Sequence, residues 1–299
     1  MRNRSWIGLL LAMVWSAPIG AWAHDIAAVE GVSSFTERFR VDGREREVLY
    51  LYPSSADPEQ PPPAIILLHY LNGLPAPMAD LSGVARLVRD SGVWAILPRA
   101  LSGKWNASTT YLKYVNDVRF LTDLIGRAVT QHGVDPHRVY MGGYSGGAFM
   151  TELFACRRPD LIAAGAAVGA SLYHADMPLC TPEIATPMLM INGTEDGLTH
   201  YDGNLLLNPV EDTAAFWAGL NACTGYADTS LEDREEDGTV VRLRRYSGCS
   251  QGDAVELYTV FGGGHTWPGT VDFSPSLGVT SQDVSATALM WAFFQRFER

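Results

Sequence analysis

Residues 143–147, Gly-Tyr-Ser-Gly-Gly, have the pattern Gly-x-Ser-x-Gly and could present a reactive serine. The apolar residues 138–142 precede them, and residues 148–155 have helical character. A strand, a tight turn with one serine and a helix form a nucleophile elbow, which holds the hydroxyl on a strained corner beside a helix N-terminus. The alternative is a glycine-rich turn that only packs a helix against a sheet. We predict that Ser145 is a nucleophile.

A serine hydroxyl needs a base to take its proton and a third group to fix the tautomer of that base. The candidate base is His265, which follows three glycines and a predicted buried strand, residues 255–260. The alternative is a packed loop histidine. However, a structural histidine rarely needs three glycines before it, and such a loop can bend over the serine. We therefore predict that His265 is the base.

The candidate acid is Asp196, in the loop of residues 192–197 that follows another apolar run. Asp at a turn often only caps the turn, and Glu195 and Asp202 are the nearest rivals. The turn at Gly193 can return the side chain of Asp196 over the sheet edge, whereas Glu195 would face the other way. The order Ser, Asp, His along the chain is that of α/β-hydrolases.

An oxyanion hole needs two N–H donors aimed at the developing negative charge. We expect one donor to be the backbone N–H of Gly146, the residue after the nucleophile. The second should come from residues 69–73, the loop after the apolar run Ala64–Leu68.

Alternating apolar strands and amphipathic helices predict a doubly wound, mostly parallel sheet in a single domain. The predicted strands are residues 48–52, 64–68, 93–97, 138–142, 163–168, 188–191 and 255–260, and the predicted helices are residues 81–92, 115–128, 148–155 and 284–294, the last capped by Thr280 or Ser281. Ligands bind beyond the carboxyl ends of such strands, where the candidate residues follow. The acidic residues 224–237 are expected to form a surface loop.

Four motifs together resemble the secreted esterase family of poly(3-hydroxybutyrate) depolymerases and feruloyl or acetylxylan esterases. They are residues 68–73, 143–147, 192–196 and 263–269, and weaker likeness covers residues 115–121 and 158–161. The resemblance runs from about residue 39 to the C-terminus. It implies an α/β-hydrolase fold with Ser145 as nucleophile, His265 as base and Asp196 as acid.

One departure concerns the oxyanion loop, where the family usually has His-Gly and this chain has His69-Tyr70. We expect the backbone N–H of Leu71 to be the second donor, and the hydroxyl of Tyr70 remains an alternative. Aromatic residues near the motifs are further candidates. Tyr144 and Trp267 could wall an acyl pocket, and Trp105 could line its rim.

Residues 1–23 have the features of a secretory signal: Arg2 and Arg4, an apolar stretch, and Ala21-Trp22-Ala23 as a cleavage site. This predicts a secreted or periplasmic catalytic domain of residues 24–299. The formal net charge of −11 argues against nucleic acid or anionic membranes as main partners.

Four cysteines in an exported chain favour disulfides. Three pairings are possible, and proximity favours Cys156 with Cys180 and Cys223 with Cys249. Zinc is the competing interpretation, although the chain has no Cys-x-x-Cys unit.

The sequence therefore predicts a secreted serine esterase that acts through an acyl-enzyme, without a metal or organic cofactor. Its substrate would be a small-molecule or polymeric ester, either a hydroxyalkanoate or a feruloyl or acetyl ester. The alternatives are a non-catalytic binding protein on a hydrolase scaffold and a serine peptidase of the same fold.

Overall fold

The computed structural model describes residues 28–55, 59–108, 115–252, 254–271 and 274–299. The predicted signal segment, residues 1–23, lies outside the described residues.

Short apolar runs form the centre of one ten-stranded sheet, because a strand covered on both faces needs apolar side chains throughout. The strands are β1 (Val32–Val41), β2 (Arg44–Pro53), β3 (Ala64–Leu68), β4 (Trp94–Pro98), β5 (Val139–Tyr144), β6 (Ala164–Val168), β7 (Met188–Gly193), β8 (Gly225–Ser230), β9 (Val240–Ser247) and β10 (Val255–Phe261). Their order is β1-β2-β4-β3-β5-β6-β7-β10-β9-β8. The six central strands are parallel, and two antiparallel strands flank them on each side.

In the described part of the chain, six α-helices cover the two faces of this sheet. They are α1 (Pro75–Ser82), α2 (Val84–Ser91), α3 (Asp117–His132), α4 (Gly146–Arg157), α5 (Val210–Leu220) and α6 (Ala286–Phe294). Side chains of α3, α4 and α5, such as Phe120, Phe154 and Trp217, pack in the core on one face. Side chains of α1, α2 and α6, such as Met78 and Phe293, pack on the other. The predicted doubly wound architecture is confirmed.

Three local predictions differ from the structure. The predicted helix of residues 81–92 is two helices, because Gly83 has a left-handed φ of 63° between α1 and α2. Residues 224–237 are not only a loop: β8 lies within them, fully exposed and paired with β9. Ser285, rather than Thr280 or Ser281, caps α6 by accepting the N–H of Ala288.

The cysteines are paired as proximity favours, Cys156 with Cys180 and Cys223 with Cys249. The first disulfide joins the end of α4 to the loop after β6, and the second joins the segment after α5 to the segment after β9. Their sulfurs are therefore not available for zinc. None of the helices in the described parts of the chain has the length and apolar character needed to cross a membrane.

Candidate active site

Ser145 lies at the corner between β5 and α4, with a φ of 52° and a ψ of −117°. This conformation is costly for a residue with a Cβ and persists only where the surroundings enforce it. The flanking glycines make the corner possible. A Cβ on Gly143 would lie 2.3 Å from the carbonyl of Gly147, and a Cβ on Gly147 would lie 2.2 Å from the carbonyl oxygen of Leu68. The Ser145 N–H donates to the carbonyl of Val168 over 2.8 Å, which fixes the corner against β6.

The structure brings the predicted nucleophile, base and acid into one hydrogen-bonded series. Nε2 of His265 lies 2.9 Å from Oγ of Ser145, and its Nδ1 lies 2.6 Å from Oδ2 of Asp196. The other carboxyl oxygen of Asp196 accepts the backbone N–H groups of Leu198 and Thr199 over 2.8 and 2.7 Å. A carboxylate only accepts, so Nδ1 carries the proton and Nε2 is left to accept from the serine.

Burial separates the candidate acid from its rivals. Asp196 is buried beneath the base, whereas Glu195 and Asp202 are exposed. His265 is also buried, and Ser145 is half-buried. Ser145 is therefore partly accessible to solvent, while the two groups behind it are shielded.

Glycines let the loops that carry the acid and the base touch through their backbones. A Cβ on Gly193 would lie 2.2 Å from the carbonyl oxygen of Gly263. A Cβ on Gly264 would lie 2.0 Å from the carbonyl oxygen of Leu277. The sequence predicted that the glycines before His265 let its loop bend. In the structure, these glycines also allow the neighbouring loops to pack closely.

The backbones of Gly146 and Leu71 lie close together beside the serine. A Cβ on Gly146 would lie 3.2 Å from the backbone nitrogen of Leu71. The carbonyl of Tyr70 accepts from Gly73 and from Nδ1 of His69, over 2.9 and 2.7 Å. Because a trans peptide points its N–H opposite to its C=O, the Leu71 N–H faces away from His69, toward Gly146. Within the described residues, neither N–H donates to a backbone carbonyl.

His69 fixes the loop that carries Leu71. Its Nδ1 donates to the carbonyl of Tyr70, and its Nε2 accepts the backbone N–H of Ala100 over 3.1 Å. Burial lowers the pKa of His69 to about 4, so the ring is neutral and can donate and accept at once. The sequence placed His69 in a motif but did not reveal this role, because Ala100 lies 31 residues away.

A buried ion pair supports the segment that holds His69. Arg46 Nη2 lies 2.7 Å from Oδ1 of Asp117, and both side chains are almost fully buried. The other carboxyl oxygen of Asp117 accepts the backbone N–H of Asn106 over 2.8 Å. Sequence reasoning missed this pair, since its members lie 71 residues apart.

The three aromatic residues predicted to contact substrate are buried in the structure. The indole N–H of Trp105 donates to the carbonyl of His69 over 2.8 Å, and that of Trp267 donates to Oγ1 of Thr287 over 3.1 Å. The hydroxyl of Tyr144 donates to the carbonyl of His265 over 2.6 Å. Their polar atoms are thus hydrogen-bonded inside the protein, where they connect the loops around the candidate site.

Tyr70 is half-buried, and its ring packs edge-on against that of Tyr144 with centroids 5.6 Å apart. Loops at the same sheet edge expose apolar side chains that sequence reasoning did not single out, those of Leu71, Leu198, Leu205 and Leu206. No periodicity marks them, because they lie on irregular loops.

No family model matches the chain. Feruloyl esterase B of Piromyces equi is 27% identical over 235 residues, which are 74% of this chain and 42% of that protein. The chain thus spans about two fifths of the length of this relative. Acetylxylan esterase A of Aspergillus ficuum is 26% identical over 238 residues, 69% of this chain and 77% of that protein. A poly(3-hydroxyalkanoate) depolymerase of Paucimonas lemoignei is a further relative.

Among solved structures, the acetyl xylan esterase from Aspergillus awamori superposes with a TM-score of 0.61 at 16% identity, over 88% of this chain and 99% of that one. This likeness shows the α/β-hydrolase fold. The named relatives are carboxylic ester hydrolases, so the resemblance seen in the motifs is confirmed.

Proposed function

We propose that this protein is a serine carboxylic ester hydrolase with Ser145 as nucleophile, His265 as general base and Asp196 as the group that orients the base. The observation that carries the proposal is the series Ser145 Oγ, His265 Nε2 at 2.9 Å, and His265 Nδ1 to Asp196 Oδ2 at 2.6 Å, on a strained elbow. The esterase names of the relatives support the same reaction.

In the first half of the reaction, Oγ of Ser145 attacks the ester carbonyl carbon while Nε2 of His265 takes its proton. Asp196 stabilises the imidazolium that forms. The carbonyl oxygen becomes an oxyanion, which the N–H groups of Gly146 and Leu71 bind; one such donor contributes about 3–4 kcal/mol to lowering the barrier. The C–O bond to the alcohol then breaks, and His265 protonates the departing oxygen.

In the second half, water replaces the alcohol. His265 takes a proton from water as the water oxygen attacks the acyl carbon, and the same two N–H groups bind the second oxyanion. The bond between the acyl carbon and Oγ of Ser145 then breaks, and His265 returns the proton to Oγ. The products are a carboxylic acid and the free enzyme. The residues named here need no metal or organic cofactor for these steps.

We propose esters of the types named in the relatives as substrates: feruloyl, acetyl or hydroxyalkanoate esters. The exposed Leu71 and Leu198 beside the site would contact the apolar part of such an ester. The predicted signal and the two disulfides support export of the protein. Initial rates on methyl ferulate, a hydroxybutyrate trimer and acetylated xylan would rank the three substrate types.

Ser145→Ala tests the nucleophile. We expect p-nitrophenyl acetate hydrolysis to fall by at least about 10³-fold, because the remaining groups cannot form the acyl-enzyme. Labelling with a fluorophosphonate should disappear as well. Ser54→Ala is the control, since it removes an exposed hydroxyl at the other end of the sheet.

Full activity of Ser145→Ala would contradict the proposed mechanism. A wild-type protein that neither reacts with the fluorophosphonate nor hydrolyses esters would instead be a binding protein. A rate on amide substrates that matches the ester rate would indicate a peptidase.

A further inference from the structure

The base of the proposed mechanism is held at four polar points. Its two ring nitrogens contact Ser145 and Asp196, and its backbone N–H donates to the carbonyl of Leu277 over 2.6 Å. The fourth point is its own carbonyl, which accepts the hydroxyl of Tyr144 over 2.6 Å. Of the two backbone contacts of His265, only this one comes from the segment that carries the nucleophile.

The ring of Tyr144 also packs against the base and against residues of the neighbouring loops. The ring stacks beside the imidazole of His265, with centroids 5.3 Å apart and planes 30° apart. It packs edge-on against Trp267 and against Tyr70 of the oxyanion loop, at 6.0 and 5.6 Å. Burial raises the pKa of Tyr144, so its hydroxyl stays protonated and remains a donor at every pH at which the protein would be assayed.

We propose that Tyr144 is a positioning residue, which sets the distance between base and nucleophile by tying the backbone of His265 to the residue next to Ser145. This inference rests on the proposed function. Tyr144 and Ser145 share one peptide unit, so the span from nucleophile to base passes through a planar peptide, one rigid phenol ring and one hydrogen bond. The loop contacts of Gly193 and Gly264 tie the base only to other loops.

Loss of the hydrogen bond from Tyr144 should slow every proton transfer that uses His265 and should leave substrate binding unchanged. Acylation and deacylation both use His265, so loss of the tie should slow both steps whatever the acyl group is. A displacement of about 1 Å can cost about 100-fold in rate. For Tyr144→Phe we expect kcat to fall about 10- to 100-fold, with KM within about twofold, equally for acetyl and butyryl p-nitrophenyl esters.

Tyr140→Phe is a matched control on the same strand. Tyr140 is also buried, and its hydroxyl also donates to a backbone carbonyl, that of Phe297, over 3.0 Å. Both variants lose a buried hydroxyl and leave one carbonyl without its donor, so their losses of stability in urea should be similar. Only Tyr144→Phe should lose kcat and the rate of fluorophosphonate labelling. Hydrogen exchange should become faster in residues 262–269 of this variant and stay unchanged there in Tyr140→Phe.

Three results would overturn the proposal: a kcat of Tyr144→Phe within twofold of the wild type, a loss confined to KM, or a loss that differs between the two acyl groups. The last two results would indicate that Tyr144 contacts the acyl group, as the sequence analysis predicts. If Tyr144→Phe does not fold, Tyr144→Met removes the same hydroxyl with a more adaptable apolar side chain and must show the same kcat loss. The proposed function is tested separately, on the wild-type protein. A wild type that fails to react with fluorophosphonate would refute that function, whereas the results for the Tyr144 variants bear only on the positioning role.

Discussion

At the residue scale, the motifs predicted which side chains meet but not how they are held. Ser145, Asp196 and His265 each follow a buried strand, and parallel strands bring such positions to one edge. The sequence therefore placed them together. It did not reveal that Trp105 and Trp267 are buried, because an aromatic residue next to a motif can face the substrate or the core, and the tertiary packing decides.

His69→Phe tests the support of the oxyanion loop. The change keeps a ring in the buried site but removes the donor to Tyr70 and the acceptor for Ala100. The Leu71 N–H should then lose its direction, and we expect kcat on p-nitrophenyl acetate to fall by about 10²-fold.

His174→Phe is the control for this prediction, because His174 is exposed and its Nε2 lies 3.0 Å from the carbonyl oxygen of Asn204, away from the oxyanion loop. Equal kcat values for His69→Phe and the wild type, in protein shown to be folded by circular dichroism, would contradict the role of His69.

At the element scale, apolar runs predicted the six central strands because those strands are covered on both faces. β8 escaped prediction, since all six of its residues are exposed and its pairing depends on β9 rather than on a core. The ion pair between Arg46 of β2 and Asp117 of α3 also escaped, since charged residues on a polar strand give no sign of which will be covered.

Arg46→Met tests that link between β2 and α3. The variant leaves the carboxylate of Asp117 buried without its partner, which should cost about 3–5 kcal/mol of unfolding free energy. Urea titration would measure the loss.

Arg38→Met is the comparison, because Arg38 pairs with Glu47 at the surface and its side chain is 59% exposed. Exposed pairs contribute little, so its loss should be much smaller. Similar losses in the two variants would show that burial of the Arg46 pair has no special effect.

At the scale of the whole molecule, one buried group should make stability depend on pH. Glu152 of α4 is buried, and neither of its carboxyl oxygens has a hydrogen-bond partner among the described residues. Burial raises the pKa of Glu152 from 4.5 to about 8. No sequence pattern predicts this burial, because a glutamate inside a helix is normally exposed.

The direction in which the unfolding free energy changes with pH follows from the number of protons that the folded and unfolded chains bind. Between about pH 4.5 and pH 8 the unfolded chain loses the proton of Glu152 while the folded chain keeps it. The contribution of Glu152 to the free energy of unfolding is therefore fully present below pH 4.5. It is lost as the pH rises through about 8, at about 1.4 kcal/mol per pH unit.

Glu152→Gln should remove this dependence, so the variant should gain on the wild type as the pH rises from 5 to 8. Urea titrations of both proteins at several pH values would measure the difference. Glu232→Gln, at an exposed position, should follow the wild type. Parallel curves for Glu152→Gln and the wild type would mean that Glu152 titrates alike in both states.

The two outer strands of the sheet have a consequence for behaviour at high concentration. Among the residues that the structure describes, β1 and β8 each leave one row of backbone N–H and C=O groups without a neighbouring strand, and such rows can pair with strands of other molecules. β1 carries the exposed Arg38 and Arg40, and β8 carries the exposed Asp228. A second copy that paired with either outer strand would have to desolvate these charges. High protein concentration alone should therefore not cause the sheets of different molecules to join into fibres.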